Sequence, residues 1–134
     1  MDRKYFIDQS AQAIKRAYQF LMKSRKQNIV ELGDDIDAFA IKRNDVFEFG
    51  IRLAVDGVDS EQINRILDNI IAREKDSLSR RLKTIQKEAV KHIQDGSNSL
   101  ILLNILFSYF SDDEKNDVKG LLADEAFKTY FELY

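Results

Sequence analysis

Three carboxylates crowd into one short stretch, at Asp34, Asp35 and Asp37, and look at first like a loop for a metal cation. A calcium loop of the EF-hand kind needs oxygen ligands at alternating positions, a glycine at the sixth and a glutamate at the twelfth. Ile36 and Phe39 stand where that pattern fails, so the group reads as a solvated acidic turn. His92 is the only histidine and cysteine is absent, which leaves nothing to complete a zinc-type site. No Gly-x-Ser-x-Gly elbow presents a nucleophile and no glycine-rich loop cradles a phosphate. His92 therefore reads as a surface histidine. Arg80, Arg81, Lys83, Lys87 and Lys91 form a basic run, with Lys83, Lys87 and Lys91 on one helical stripe. Nucleic-acid surfaces add interleaved aromatics or a broader basic field. The run reads instead as a solvated face, with docking to an acidic protein surface as the alternative. No catalytic residue, metal site or cofactor follows from these groups, and an enzyme is not expected.

Composition narrows the fold. The chain has 134 residues, 44% hydrophobic and 33% charged, which suits one ordered domain or two small helical units. It has no Pro and five Gly, whereas sheet and loop-rich proteins use more of both in their turns. An all-α fold follows, a compact bundle of five to seven helices with short connections. A net charge of −2 gives no overall pull toward nucleic acid. The lack of cysteine suits a reducing, cytoplasmic setting. The start, Met1 to Phe6, has no signal-peptide core, and the apolar run Leu100 to Phe110 is far short of the roughly 20 residues that cross a bilayer.

Apolar spacing places the helices. Ile7, Ala11, Ile14, Tyr18 and Leu21 mark a first helix over about Asp2 to Lys26, with Lys23, Arg25 and Lys26 at its end, where cations complement the helix dipole. Ile29 to Phe39 reads as one or two turns and an exposed bend around Gly33. Asn44 or Asp45 caps a helix running to Asp56 that is apolar on almost every side, so it should be central to the N-terminal half. Gly57 supplies the left-handed stop, and Asp59 starts the next helix with Gln62 as capping-box partner. The stripe from Ile63 to Ile93 lapses at Glu74 and Lys75. A long or kinked helix is favoured slightly over a break recapped by Asp76 or Ser77. Gly96 closes that segment, Ser97 or Asn98 caps a core helix over Ser99 to Phe110 with Leu100, Leu103, Leu106, Phe107 and Phe110 as its buried face, Ser111 opens a capping box with Glu114, and Asp124 caps a last segment.

The stretch Phe49 to Leu67, built around Val55-Asp56-Gly57-Val58-Asp59, resembles the cytoplasmic domain of motility protein A, the MotA-type stator subunit of the bacterial flagellar motor. Upstream, Leu21-Met22-Lys23-Ser24-Arg25-Lys26, followed by Ile29 and Leu32, is similar to the same family, so the likeness covers about Gln12 to Asp76. Asp56, Gly57 and Asp59 are its structural motif. The resemblance implies contact with the rotor switch protein FliG through charged residues, the basic one falling on Arg25. The family's acidic position falls on Gly33, and Glu31 and Asp34 flank it and can substitute. Lys23, Arg25, Lys26, Glu31 and Asp34 are thus the implied partner-binding set. Family members also carry membrane helices around this region, which are not seen here, so the chain would not conduct ions by itself. It would be an excised piece, or a free-standing homologue with a helical extension in place of the membrane part. On this reading residues 1–76 are a stator-like region and residues 77–134 an extension packed on it, or 1–134 is one domain.

Two functions from different classes fit. One is a non-catalytic protein-interaction module of the flagellar motor, cytoplasmic or held at the inner face of the inner membrane by FliG or stator components. The other is a helical scaffold or regulatory protein of an unrelated pathway, with a homodimer compatible with either.

Overall fold

The computed structural model describes residues 1–26 and 45–134; the expected turns at Ile29–Phe39 lie outside them. Among the described residues seven helices follow in order: α1 (Arg3–Lys26), α2 (Val46–Val55), α3 (Ser60–Ala72), α4 (Ser77–Asp95), α5 (Ser99–Phe107), α6 (Asp112–Gly120) and α7 (Glu125–Leu133). No strand occurs among the described residues, as the all-α expectation requires. No helix there is long and apolar enough to cross a membrane.

Helix α4 is the hub. It packs on α1, α2, α3 and α5, while α1 also meets α5 and α6, and α2 meets α3. Leu82, Ile85, Ala89, Val90 and Ile93 are the buried side of α4. Their spacing makes a stripe broad enough to serve several neighbours. Phe6, Ile7, Ala11, Ile14, Ala17 and Leu21 face them from α1. Residues on both sides of Asp76 enter the same apolar cluster, including Ile51 and Leu67 from one side and Leu102, Leu106 and Phe127 from the other. Helix α2 buries Val46, Phe47, Gly50, Ile51 and Ala54, whereas Phe49, Leu53 and Val55 are half-buried. Its apolar surface is therefore one partner of the hub, and the central position belongs to α4.

Local polar groups set where the helices begin and end. Asp45, Asp59, Asp76, Asn98 and Ser111 each accept the backbone N–H three residues on. Each bond satisfies a donor that the first helical turn leaves without a partner. Ser111 and Glu114 complete the reciprocal capping box. Asp124 stands at the N-cap of α7 without a side-chain bond to it. Gly57 and Gly96 take the left-handed conformation, at φ 86° and 70°. After α2 the Gly57 and Val58 N–H groups return to the Ala54 and Leu53 carbonyls, which turns the chain into α3.

Two expectations change. The favoured long helix over 59–93 is broken: α3 ends at Ala72 and Asp76 caps α4, accepting from the Ser79 N–H at 2.8 Å. The Glu74 carboxylate accepts the Asp76 N–H at 3.2 Å, and Arg80 donates to the Glu74 carbonyl, so the break is closed by its own polar groups. It lets α3 fold back onto α4. The second change concerns α5, which ends at Phe107 and buries Leu102, Leu103, Leu106 and Phe107. Leu100, expected in the core, is 41% exposed, and Phe110 is only half-buried.

Two glycines give separable tests. A Cβ at Gly50 would lie 2.8 Å from Val90 Cγ2 and 3.1 Å from Leu67 Cδ1, so Gly50→Ala should destabilise by about 1–3 kcal/mol through overpacking. Val90→Ala in the same chain should recover part of that loss in denaturant melts. At Gly57 nothing lies within 4 Å, so Gly57→Val should cost about 1 kcal/mol or more through its backbone alone, with no rescue by Val90→Ala. An unshifted midpoint for Gly57→Val would mean that the left-handed stop carries no strain for a β-branched residue.

Candidate functional site

Lys23, Arg25 and Lys26 occupy the last turn of α1 and are exposed. The turn is anchored by Leu21, which is fully buried, and by the Ser24 hydroxyl donating to the Leu21 carbonyl at 2.7 Å. Arg25 Nη2 reaches the Ser97 carbonyl in the α4–α5 turn at a long 3.4 Å. Glu31 and Asp34, with Gly33, Asp35 and Asp37, lie outside the described residues.

Asp56 and Asp59 flank Gly57 with distinct duties. Asp56 ends α2 and accepts from Arg52 Nε at 3.4 Å, while Asp59 caps α3 through the Gln62 N–H at 2.9 Å. Between them the Val58 carbonyl accepts from Gln94 Nε2 of α4 at 3.0 Å. The last turn of α4 thus gathers two features the sequence kept apart: Gln94 holds the Asp56–Asp59 turn, and Ser97 meets Arg25. The C-terminal half positions Arg25 and the Asp56–Asp59 turn, a role with no signal in their own sequence.

His92 organises this end of α4. Its side chain is 13% exposed, which corrects the surface reading. Nδ1 lies 2.9 Å from Ser97 Oγ and Nε2 lies 3.6 Å from Glu88 Oε2, so the ring is packed between the helix and the turn it closes. On the other oxygen Glu88 accepts from the Tyr109 hydroxyl at 3.3 Å. Burial, with the Glu88 charge and hydrogen bond added, pushes the Tyr109 phenol up to about 12, so it stays a proton donor.

The basic run on α4 is a solvated face only in part: Arg80 and Lys91 are exposed, whereas Arg81, Lys83 and Lys87 are half-buried and paired. Arg81 Nη1 donates to both Glu114 oxygens at 2.8 and 2.9 Å, and its guanidinium lies 4.9 Å from the centre of the Phe6 ring. Lys83 pairs with Glu74 at 3.0 Å and Lys87 with Asp68 at 2.6 Å. The Lys83 ammonium and the Asp76 N–H hold Glu74 below its ordinary carboxylate range. These cations tie α4 to α3, α6 and the break at 73–76. Arg16 does the same between α1 and α2, meeting Asp45 at 3.1 Å and Glu48 at 2.7 Å above the Phe47 ring.

A cleft of about 490 Å³ opens beside Gln9, Asp45, Glu74, Leu82 and Lys83. Its charged side chains are the paired ones just described, and the Met1 ammonium, which also lines it, pairs with Asp76 at 3.2 Å. Among the described residues no group of three or more His, Cys, Asp or Glu side chains is placed to hold a metal ion. The arrangement offers charged edges and paired ions. Comparison with protein-family models, with curated proteins and with solved structures finds no match to this chain. The stator resemblance therefore rests on the residues quoted for it.

Glu114 is the most testable of the paired groups, at 6% exposure. Burial by itself would raise its pKa, but the Ser111 N–H and Arg81 outweigh it and leave the carboxyl below the usual range. A folded pKa below the unfolded one means stability that is complete above the unfolded value, about 4.3, and lost as pH falls through the folded value. Chemical melts of the protein should thus be flat near neutrality in this respect and weaken below about pH 4. Glu114→Gln should flatten that acid limb. Glu114→Ala should cost about 2–3 kcal/mol, below the range for fully buried pairs because Arg81 keeps contact with water.

Proposed function

We propose that this protein is a non-catalytic interaction module related to the cytoplasmic domain of the flagellar stator, engaging an acidic surface of a motility partner through the end of α1. The partner is the rotor switch protein FliG or a stator component, which would hold the chain at the cytoplasmic face of the inner membrane. One observation carries the reading. Arg81, Lys83 and Lys87 of α4 are paired with Glu114, Glu74 and Asp68, whereas Arg25 and Lys26 remain exposed at the end of α1. The helix stop at Gly57 and the cap at Asp59 give the resembling stretch the turn that its sequence called for. Exposed charges add little to folding and act instead on the rate and specificity of association.

Titration of purified FliG or stator cytoplasmic fragments from the same organism onto the full chain tests the proposal. Arg25→Glu should weaken binding at least tenfold, about 1.4 kcal/mol, with the melting temperature nearly unchanged. Binding should weaken as salt is raised. Equal affinities for Arg25→Glu and the parent chain would overturn the assignment, and a large drop in melting temperature would show Arg25 to be structural.

A further inference from the structure

Helix α5 differs from every other described helix in carrying no charged residue: Ser99-Leu-Ile-Leu-Leu-Asn-Ile-Leu-Phe107. Its inner side meets α1 and α4. Its outer side holds Leu100 at 41% exposure, Ile101 at 46% and Ile105 half-buried, with Asn104 and Ser108 as polar neighbours. Ile101 and Ile105 are one turn apart and Leu100 lies beside them, so the three form a short ridge of the kind one helix offers another. The outward faces of the other helices carry charge; this one keeps aliphatic side chains in water at the bundle's surface.

The ridge begins where the basic edge ends. Arg25 Nη2 touches the carbonyl of Ser97, two residues before α5 starts, and Arg25 and Lys26 are exposed there. Asp95 ends α4, the turn Gly96-Ser97-Asn98 has no carboxylate, and the first turn of α5 contains no acidic residue. We infer that this end of the bundle seats an acidic amphipathic helix of a partner protein, its apolar side on Leu100, Ile101 and Ile105 and its carboxylates toward Arg25 and Lys26. The inference rests on the reading of the α1 edge as partner-facing and adds the α5 ridge to it. The apolar contact supplies area, and the cations select the sign of the occupant and its orientation. A ridge of three side chains with two cations is small, so micromolar affinity is expected.

The probe is a fluorescent synthetic helical peptide with leucines one turn apart flanked by glutamates, and its counterpart with lysines in their place. Anisotropy titrations use the full chain at low and moderate salt. The acidic peptide should bind at least tenfold tighter than the basic one. Ile101→Ser should weaken it at least fivefold and Arg25→Glu at least tenfold, with circular dichroism unchanged because both residues are exposed. Loss with Arg25→Glu but none with Ile101→Ser would overturn the α5 ridge and leave the basic edge standing. Loss with Ile101→Ser while both peptides bind alike would overturn the acidic occupant. Absence of binding by either peptide would overturn the inference outright. Sedimentation supplies the remaining arm: a concentration-dependent dimer abolished by Ile101→Ser would make a second copy the occupant and overturn a separate partner.

Discussion

Everything in this molecule depends on how closely four helices can approach α4. The constraint is steric before it is electrostatic. Gly50 of α2 is seated so near Val90 of α4 and Leu67 of α3 that a single added carbon would collide with both. Ala89 on α4 and Ala11 and Ala17 on α1 are buried small residues of the same kind, at the helix pair with the most extensive contact. Small side chains let helix axes draw together, and the large ones around them then interlock. Leu67, Ile85 and Leu102 are fully buried because the axes are that close. Loosening α2 against α4 would open the cluster on both sides of the break at 73–76.

The charges are arranged around that packing. Arg16 spans α1 to α2, Lys83 and Lys87 tie α4 to the break and to α3, and Arg81 ties it to α6. Most of these pairs are partly exposed, and each alone contributes little. Arg81 and Glu114 differ because the carboxylate is buried and also accepts the Ser111 N–H, so helix capping and interhelical pairing share one group. Protonating or removing Glu114 would release both at once, which is why the α4–α6 contact should be sensitive to acid while the apolar α2–α4 contact is not.

The sequence made legible what is local. Caps at Asp45, Asp59, Asn98 and Ser111 bond three residues ahead, and the stops at Gly57 and Gly96 depend on one backbone angle each, so type and spacing suffice. The long-range polar contacts were not legible. Arg81 and Glu114 are 33 positions apart and Gln94 and Val58 are 36, and no period links such partners before the helices are docked. The break after Ala72 was offered by the lapse at Glu74 and Lys75 but not decided by it. What decides it is tertiary, since α3 can reach α4 only by turning back. The face of α5 was misread at Leu100 for a different reason. A helix apolar nearly all round has no periodic contrast to show which side is inward.

The two ends of α4 hold different groups. The pairing that holds α6 to α4 lies near the start of α4, at Arg81, whereas Arg25, the Asp56–Asp59 turn and the beginning of α5 gather at its other end through Ser97 and Gln94. The second end is closed by His92 against Ser97 and Glu88, so its surface groups are mounted on a packed turn. A surface mounted in this way loses little freedom when something binds to it. It also explains how a charged edge on α1 can depend on residues seventy positions later. Without the α4–α5 turn, Arg25 would have no fixed neighbour, and the apolar ridge of α5 would not begin beside it.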